Sequence, residues 1–127
     1  MVIVSNTPLD LSGLIAILGK EGAGSCVFHL GVVKPVAGGR KSQGIEFKVQ
    51  GDMTGELKAI EADLRSRYPL QDVILARRVG TLAVGDSILL AAVAAADRDS
   101  AFAACREAIE RFKTMKTVGK KELYLEP

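Results

Sequence analysis

The 127-residue sequence predicts an α+β domain in which three helices pack against a mainly antiparallel sheet. Three observations carry that prediction. Two long segments, one starting at Thr54 and one at Ser100, repeat apolar residues at helical spacing. The stretches around them are short, β-rich and punctuated by Gly and Pro. The chain is also long enough for one core and too short for two, so one domain over residues 1–127 is expected. Apolar residues at 48% and charged residues at 25% fit a globular chain and not a disordered one. At this length a fold buries roughly two-thirds of the unfolded surface and needs no disulfide or metal to hold it.

Asp10 caps a short helix whose Leu11, Leu14, Ile15 and Leu18 fall at i, i+3, i+4 and i+7, with Gly19 just beyond. Residues 25–33 form a β-rich run, and Ile45, Phe47 and Val49 alternate with Glu46 and Lys48 as in a half-buried strand. Residues 34–44 then form a long, Gly-rich, basic connection between two hairpin strands, a kind of loop that is often functional. Thr54 caps the second helix, where Met53, Leu57, Ile60 and Leu64 make one apolar stripe. Pairs Glu61/Arg65 and Asp63/Arg67 support its outer face, and Pro69 stops it. Strands are predicted over 72–78, 81–84 and 87–95, with Gly80 and Gly85-Asp86 as turns. Asp97 or Asp99 opens the third helix, from Ser100 to about Met115. Phe102, Cys105, Ile109 and Phe112 form its buried stripe, while Arg106, Glu107, Glu110 and Arg111 face solvent. Residues 120–125 are a last strand, giving the order αββαβββαβ.

The composition excludes several chemistries. Lys plus Arg number 17 against 15 Asp plus Glu, so the net charge of +2 gives no argument for nucleic acid, and an anion site must be a local cluster. One histidine and two cysteines cannot complete a structural zinc site without carboxylates. Cys26 and Cys105 lack CxxC spacing, which suggests plain thiols in a reducing compartment. With no Trp and 5% aromatics there is no base-stacking platform. The uncharged run 87–96 is far short of the roughly 20 residues a bilayer requires. Residues 11–18 have the hydropathy of a signal-peptide core, but no Lys or Arg precedes them and Asp10 stands at their start. A cytoplasmic protein with neither nucleic acid nor membrane as a partner is expected.

The basic residues are the unusual ones. Lys34, Arg40 and Lys41 sit on the Gly-rich loop, and Arg98 sits at a strand-to-helix junction, where free N–H groups favour an anion. Lys113 ends the third helix, and Lys120 and Lys121 follow. Brought together, these segments make a cationic pocket for a phosphate or carboxylate, with clustered cations activating a lysine for acid–base or nucleophilic work. Against that, most lysines are solvated, and Lys113 has a helix-dipole reason to be where it is. His29 reads as a sheet-face histidine satisfied by one hydrogen bond, and Cys26 and Cys105 read as buried packing residues. Gly22-Ala-Gly24 and Gly38-Gly39 match no phosphate-binding pattern and read as turns.

The C-terminal half carries a resemblance. Arg78-Val-Gly-Thr-Leu-Ala-Val-Gly-Asp86, then Ala95-Ala-Asp-Arg-Asp-Ser-Ala-Phe-Ala-Ala-Cys105, then Phe112-Lys-Thr…Gly-Lys-Lys-Glu122 resembles the MoaE family, the large catalytic subunit of molybdopterin synthase. The family pattern there is RxGxLxxGD, then Ala-His-Arg, then Leu-Lys…Trp-Lys-Lys/Arg-Glu. Gly31-Val-Val-Lys34 occupies the place of a Gly-x-Val-Arg. The resemblance implies an α/β hammerhead-type fold and a homodimer within a heterotetramer. It also implies a ubiquitin-like small subunit of the MoaD type, whose Gly-Gly C-terminus enters the site as a thiocarboxylate. The implied activity is sulfur transfer to cyclic pyranopterin monophosphate in molybdenum cofactor biosynthesis, with no metal or other cofactor. Carried over by position, the catalytic lysines are Lys113 and Lys120. The substrate-binding positions are Lys34, Asp97, Arg98, Lys121 and Glu122, together with Arg40 on the Gly-containing loop. Asp97 stands for the family histidine, Gly119 for its aromatic residue and Lys34 for its arginine. These departures motivate a second reading, a non-catalytic binding or assembly module for a ubiquitin-like partner or a phosphorylated ligand. A generic anion-binding regulatory domain is a third.

Overall fold

The computed structural model describes residues 1–125; the last two residues of the expected domain lie outside that range. The chain runs β1 (Val2–Ser5), α1 (Leu11–Ile17), β2 (Ser25–Val32), β3 (Val36–Ala37), β4 (Arg40–Val49), α2 (Met53–Arg67), β5 (Leu70–Arg78), β6 (Gly80–Ala83), β7 (Ser87–Ala95), α3 (Arg98–Lys113) and β8 (Val118–Tyr124). One sheet has the order β1-β5-β7-β2, with β1 and β5 parallel and the other pairs antiparallel. The second has the order β3-β4-β6, with β8 on the other side of β4. This is the α+β class that the element pattern predicts. No helix among the described residues is long and apolar enough to cross a membrane.

The main core lies between the first sheet and the helices α2 and α3. Leu57, Ile60 and Leu64 of α2, Val73 and Leu75 of β5, and Ala101, Ala104 and Ala108 of α3 are all essentially inaccessible to solvent. A smaller cluster on the opposite face packs Leu14 and Leu18 against Ile74, Leu90 and Ala92. The alternation along β5 sends successive side chains to the two clusters, so this strand is apolar throughout.

Several local expectations are corrected. β2 and β4 do not form a hairpin: β2 pairs β7 at the edge of the first sheet, whereas β4 belongs to the second. The connection between them is largely structured, because β3 and β4 pair Ala37 with Arg40 around Gly38-Gly39. Both glycines have positive φ (58° and 77°), the geometry of a two-residue turn that matches the twist of paired strands. The α2 cap is Asp52, not Thr54; its carboxylate accepts from the Gly55 N–H. Glu61 pairs with Arg65 as predicted, but Asp63 pairs with Arg111 and Arg67 with Glu107. Glu107 also accepts from the Tyr68 hydroxyl, so Glu107 and Arg111 bridge the helices instead of facing water. Phe102 is 58% exposed and does not belong to the α3 stripe. The close approach of α3 to β7 uses alanines instead, shifting the buried face to Ala101, Ala104, Cys105, Ala108 and Phe112. Val49 ends its strand exposed. β1 and β3 are additional strands, too short to carry a periodic signal.

Candidate active site

A cavity of about 430 Å³ opens where the two sheets and the end of α3 meet. The last residue of α3 delivers Lys113, β8 delivers Lys120 and Glu122, and the chain just past β2 delivers Lys34. Register explains the β8 pair. Lys120 lies opposite Phe47 and Glu122 opposite Ile45, so the alternation of the strand turns both toward the cavity along with those apolar residues. Lys120 Nζ lies 3.9 Å from Glu122 Oε1. Phe112 and Met115, both buried, form part of the apolar wall.

The short link between α3 and β8 is held in place. Glu56, in the first turn of α2, accepts from the Lys116 N–H at 2.9 Å, the Thr117 N–H at 3.1 Å and the Thr117 hydroxyl at 2.6 Å. The Thr117 carbonyl in turn accepts from the Gln50 N–H. Lys113 and Lys120 therefore project from the two ends of a clamped turn. Burial raises the Glu56 pKa, but the Thr117 hydroxyl and the two N–H groups outweigh it and leave the carboxyl below its ordinary value.

A group depressed in the folded state contributes stability above its unfolded pKa and loses it as pH falls through the folded value. Glu56→Ala is expected to lower stability at pH 7 by about 1–2 kcal/mol, or roughly 3–6 °C in melting temperature. Thermal melts of both proteins should converge at pH values well below the ordinary carboxylate range. A constant gap across that range would show that the charge is not what holds the turn.

The other predicted site residues do not reach the cavity of their own chain. Arg98 and Lys113 stand at opposite ends of the 16-residue α3, about 22 Å apart at 1.5 Å per residue. Asp97 is the α3 cap, accepting from the Ser100 N–H at 2.8 Å and hydroxyl at 2.9 Å, and these two bonds lower its pKa. Lys121 points to the other face of β8, in register with Glu46. Arg40 stacks on the Tyr124 ring, 3.9 Å from its centroid. Gly119 is not part of the wall; its Cα faces the Gln50 side chain, which a larger residue would displace.

Three contributors had escaped the sequence reading. His29, half-buried, lines the cavity, and its imidazole makes no hydrogen bond among the described residues. Arg77 of β5 lies in the wall. Its signal was available, since a period of two places it with Val73 and Leu75 on the buried face. Glu56 acts from a helix that carries no cavity residue, and nothing local marks it. Among the described residues, no group of three His, Cys, Asp or Glu is placed to hold a metal ion.

Comparison with known proteins agrees on one family. The family model described as "MoaE protein" matches residues 4–115. A Drosophila willistoni protein named "Molybdopterin synthase catalytic subunit" is 31% identical over 121 residues, covering 94% of this chain and 32% of that one. A Nostoc protein of the same name is also 31% identical over 121 residues, covering 94% of this chain and 73% of its own. The chain thus spans about a third of the insect relative and most of the cyanobacterial one. Among solved structures, molybdopterin synthase from Staphylococcus aureus superimposes with a TM-score of 0.87 at 24% identity, covering 99% of this chain and 91% of that one. A chain from the Helicobacter pylori complex of subunits 1 and 2 of molybdopterin-converting factor gives 0.77 at 18% identity, covering 98% and 90%. With a family model spanning most of its length and a matching fold, this chain belongs to the MoaE protein family.

Proposed function

We propose that this chain is a molybdopterin synthase catalytic subunit. On this reading it transfers sulfur from the thiocarboxylated C-terminus of a ubiquitin-like small subunit to cyclic pyranopterin monophosphate. The observation that carries the proposal is the convergence of Lys34, Lys113 and Lys120 on one cavity of a MoaE-family chain. The donor is an anion and the acceptor carries a phosphate, so bringing them together needs fixed positive charge in a partly desolvated site. A lysine ammonium there also protonates the oxygen displaced when the thiocarboxylate sulfur bonds to the pterin side chain. Water then cleaves the acyl–sulfur bond, leaving the sulfur on the pterin and a carboxylate on the small subunit. The small subunit's Gly-Gly tail is narrow enough to enter such a cavity, and the Helicobacter relative is recorded in complex with a second subunit.

Two departures from the family pattern lie outside this chain's own cavity. The Asp97 carboxylate is engaged in capping α3, and neither Asp97 nor Gly119 lines the cavity. Arg98 reaches a lysine pair only if a second copy brings it there, which supports a homodimer whose sites are shared between chains. Cys26 and Cys105 are free, in keeping with a cytoplasmic setting.

The test is reconstitution: purified protein, a thiocarboxylated small subunit and cyclic pyranopterin monophosphate, assayed for molybdopterin. Product formation is expected. Partner binding without product would favour a non-catalytic assembly module instead.

A further inference from the structure

Arg77 stands where the strand pattern calls for an apolar side chain. Val73, Leu75 and Arg77 share the face of β5 that packs toward α2 and α3, and Arg77 is only 5% exposed. Its guanidinium carbon lies 4.1 Å from the centroid of the Phe47 ring, and one Nη donates to the Ile88 carbonyl at 3.3 Å. Its Nε is buried with no acceptor, and no carboxylate pairs with it among the described residues. Burial lowers its pKa to about 10, so it stays cationic at neutral pH.

A buried charge without a counter-ion is strongly unfavourable, and a chain that keeps one gains something by it. The cavity that Arg77 lines holds Lys34, Lys113 and Lys120 as further cations and Glu122 as its one carboxylate. The missing negative charge has to come from whatever occupies the cavity.

We propose that Arg77 is an anion-binding residue of this cavity, with its guanidinium set by Phe47 and Ile88 to receive a phosphate or carboxylate group that enters past the three lysines. The family resemblance assigns no role to this position. A planar guanidinium suits the task because it pairs with oxyanions through a fixed fork and stays charged when desolvated. The inference rests on the proposed function only for which anion is bound. Phosphate would come from the pterin substrate and carboxylate from the partner's terminus, and the two are separable.

The experiment titrates wild-type and Arg77→Met proteins, at fixed ionic strength, with inorganic phosphate and with a synthetic peptide ending in Gly-Gly and a free carboxylate. At least a tenfold loss of affinity for one probe is expected, together with loss of that probe's thermal stabilisation. A loss confined to the peptide assigns Arg77 to the carboxylate, and one confined to phosphate assigns it to the substrate. A merely structural Arg77 would make Arg77→Met melt lower while binding both probes as the wild type does, which would overturn the inference and leave the proposed function standing. Wild-type protein that binds neither probe would remove the proposed function first and this inference with it. Should Arg77→Met not fold, the Arg77 Nε–H resonance, assigned by its absence from Arg77→Lys, is followed in the wild-type protein. A shift on adding either probe supports the assignment, and an unmoved resonance overturns it.

Discussion

Lys120→Ala is expected to reduce molybdopterin formation by about 10²–10⁴-fold, the range for losing a positioned proton donor. Its melting temperature should stay within about 2 °C of the wild type. The side chain is 62% exposed, and its single ion pair, with Glu122 at 3.9 Å, is a surface pair worth at most about 1 kcal/mol. Folding therefore asks little of Lys120, while the cavity loses one of its cations at the point where the proposed reaction brings its two substrates together. Turnover within tenfold of wild type would remove Lys120 from the mechanism. Mixing this variant with Arg98→Ala adds a second reading. Because Arg98 and Lys113 are held at opposite ends of one helix, a site needing Arg98 must take it from a second chain. In the homodimer proposed above, random reassociation should then restore roughly a quarter of wild-type activity, since half the dimers would be mixed and each would have one intact site of two. No recovery would place Arg98 outside the site.

Where periodicity and local chemistry act, the sequence was readable. The α2 stripe Met53, Leu57, Ile60 and Leu64 is buried as predicted, and β7 has the predicted limits because its apolar run ends in clear turn signals. Failures occurred where a distant segment decides. Phe102 fits a 3.6 period, but the closeness of α3 to β7 selects alanines and turns the helix so that Phe102 faces out. Asp63 and Arg67 have ideal spacing for each other, yet each finds a partner on α3, which no local rule anticipates. The site followed the same division. A family pattern singles out Lys113 and Lys120, and the fold brings both to one cavity, which is as far as the geometry goes. Lys121 was separated from its neighbour by strand alternation, a distinction that required knowing where β8 pairs. Glu56 is 60 residues from the turn it clamps, and only the folded chain brings them together.

Leu57→Ala should give the opposite profile, a large loss of stability with activity retained. Leu57 is fully buried between α2 and the main core, so truncation removes its burial and leaves a cavity in a densely packed region. Such substitutions cost about 3–5 kcal/mol, or roughly 10–20 °C in melting temperature for a chain of this size. Against a total of about 5–15 kcal/mol, the protein should remain folded at 25 °C. Turnover measured there should fall by no more than about twofold, because Leu57 does not line the cavity and the loss acts on the folded population. The informative exception is a variant that is folded at 25 °C but inactive. Leu57 follows Glu56 in the first turns of α2, and Glu56 holds the turn between Lys113 and Lys120. Inactivity in the folded state would mean that packing beneath α2 sets the position of that clamp, linking core and site through one carboxylate. If the melting temperature instead stays within a few degrees, Leu57 is not the core residue its burial indicates, and the packing of α2 against the first sheet is wrong.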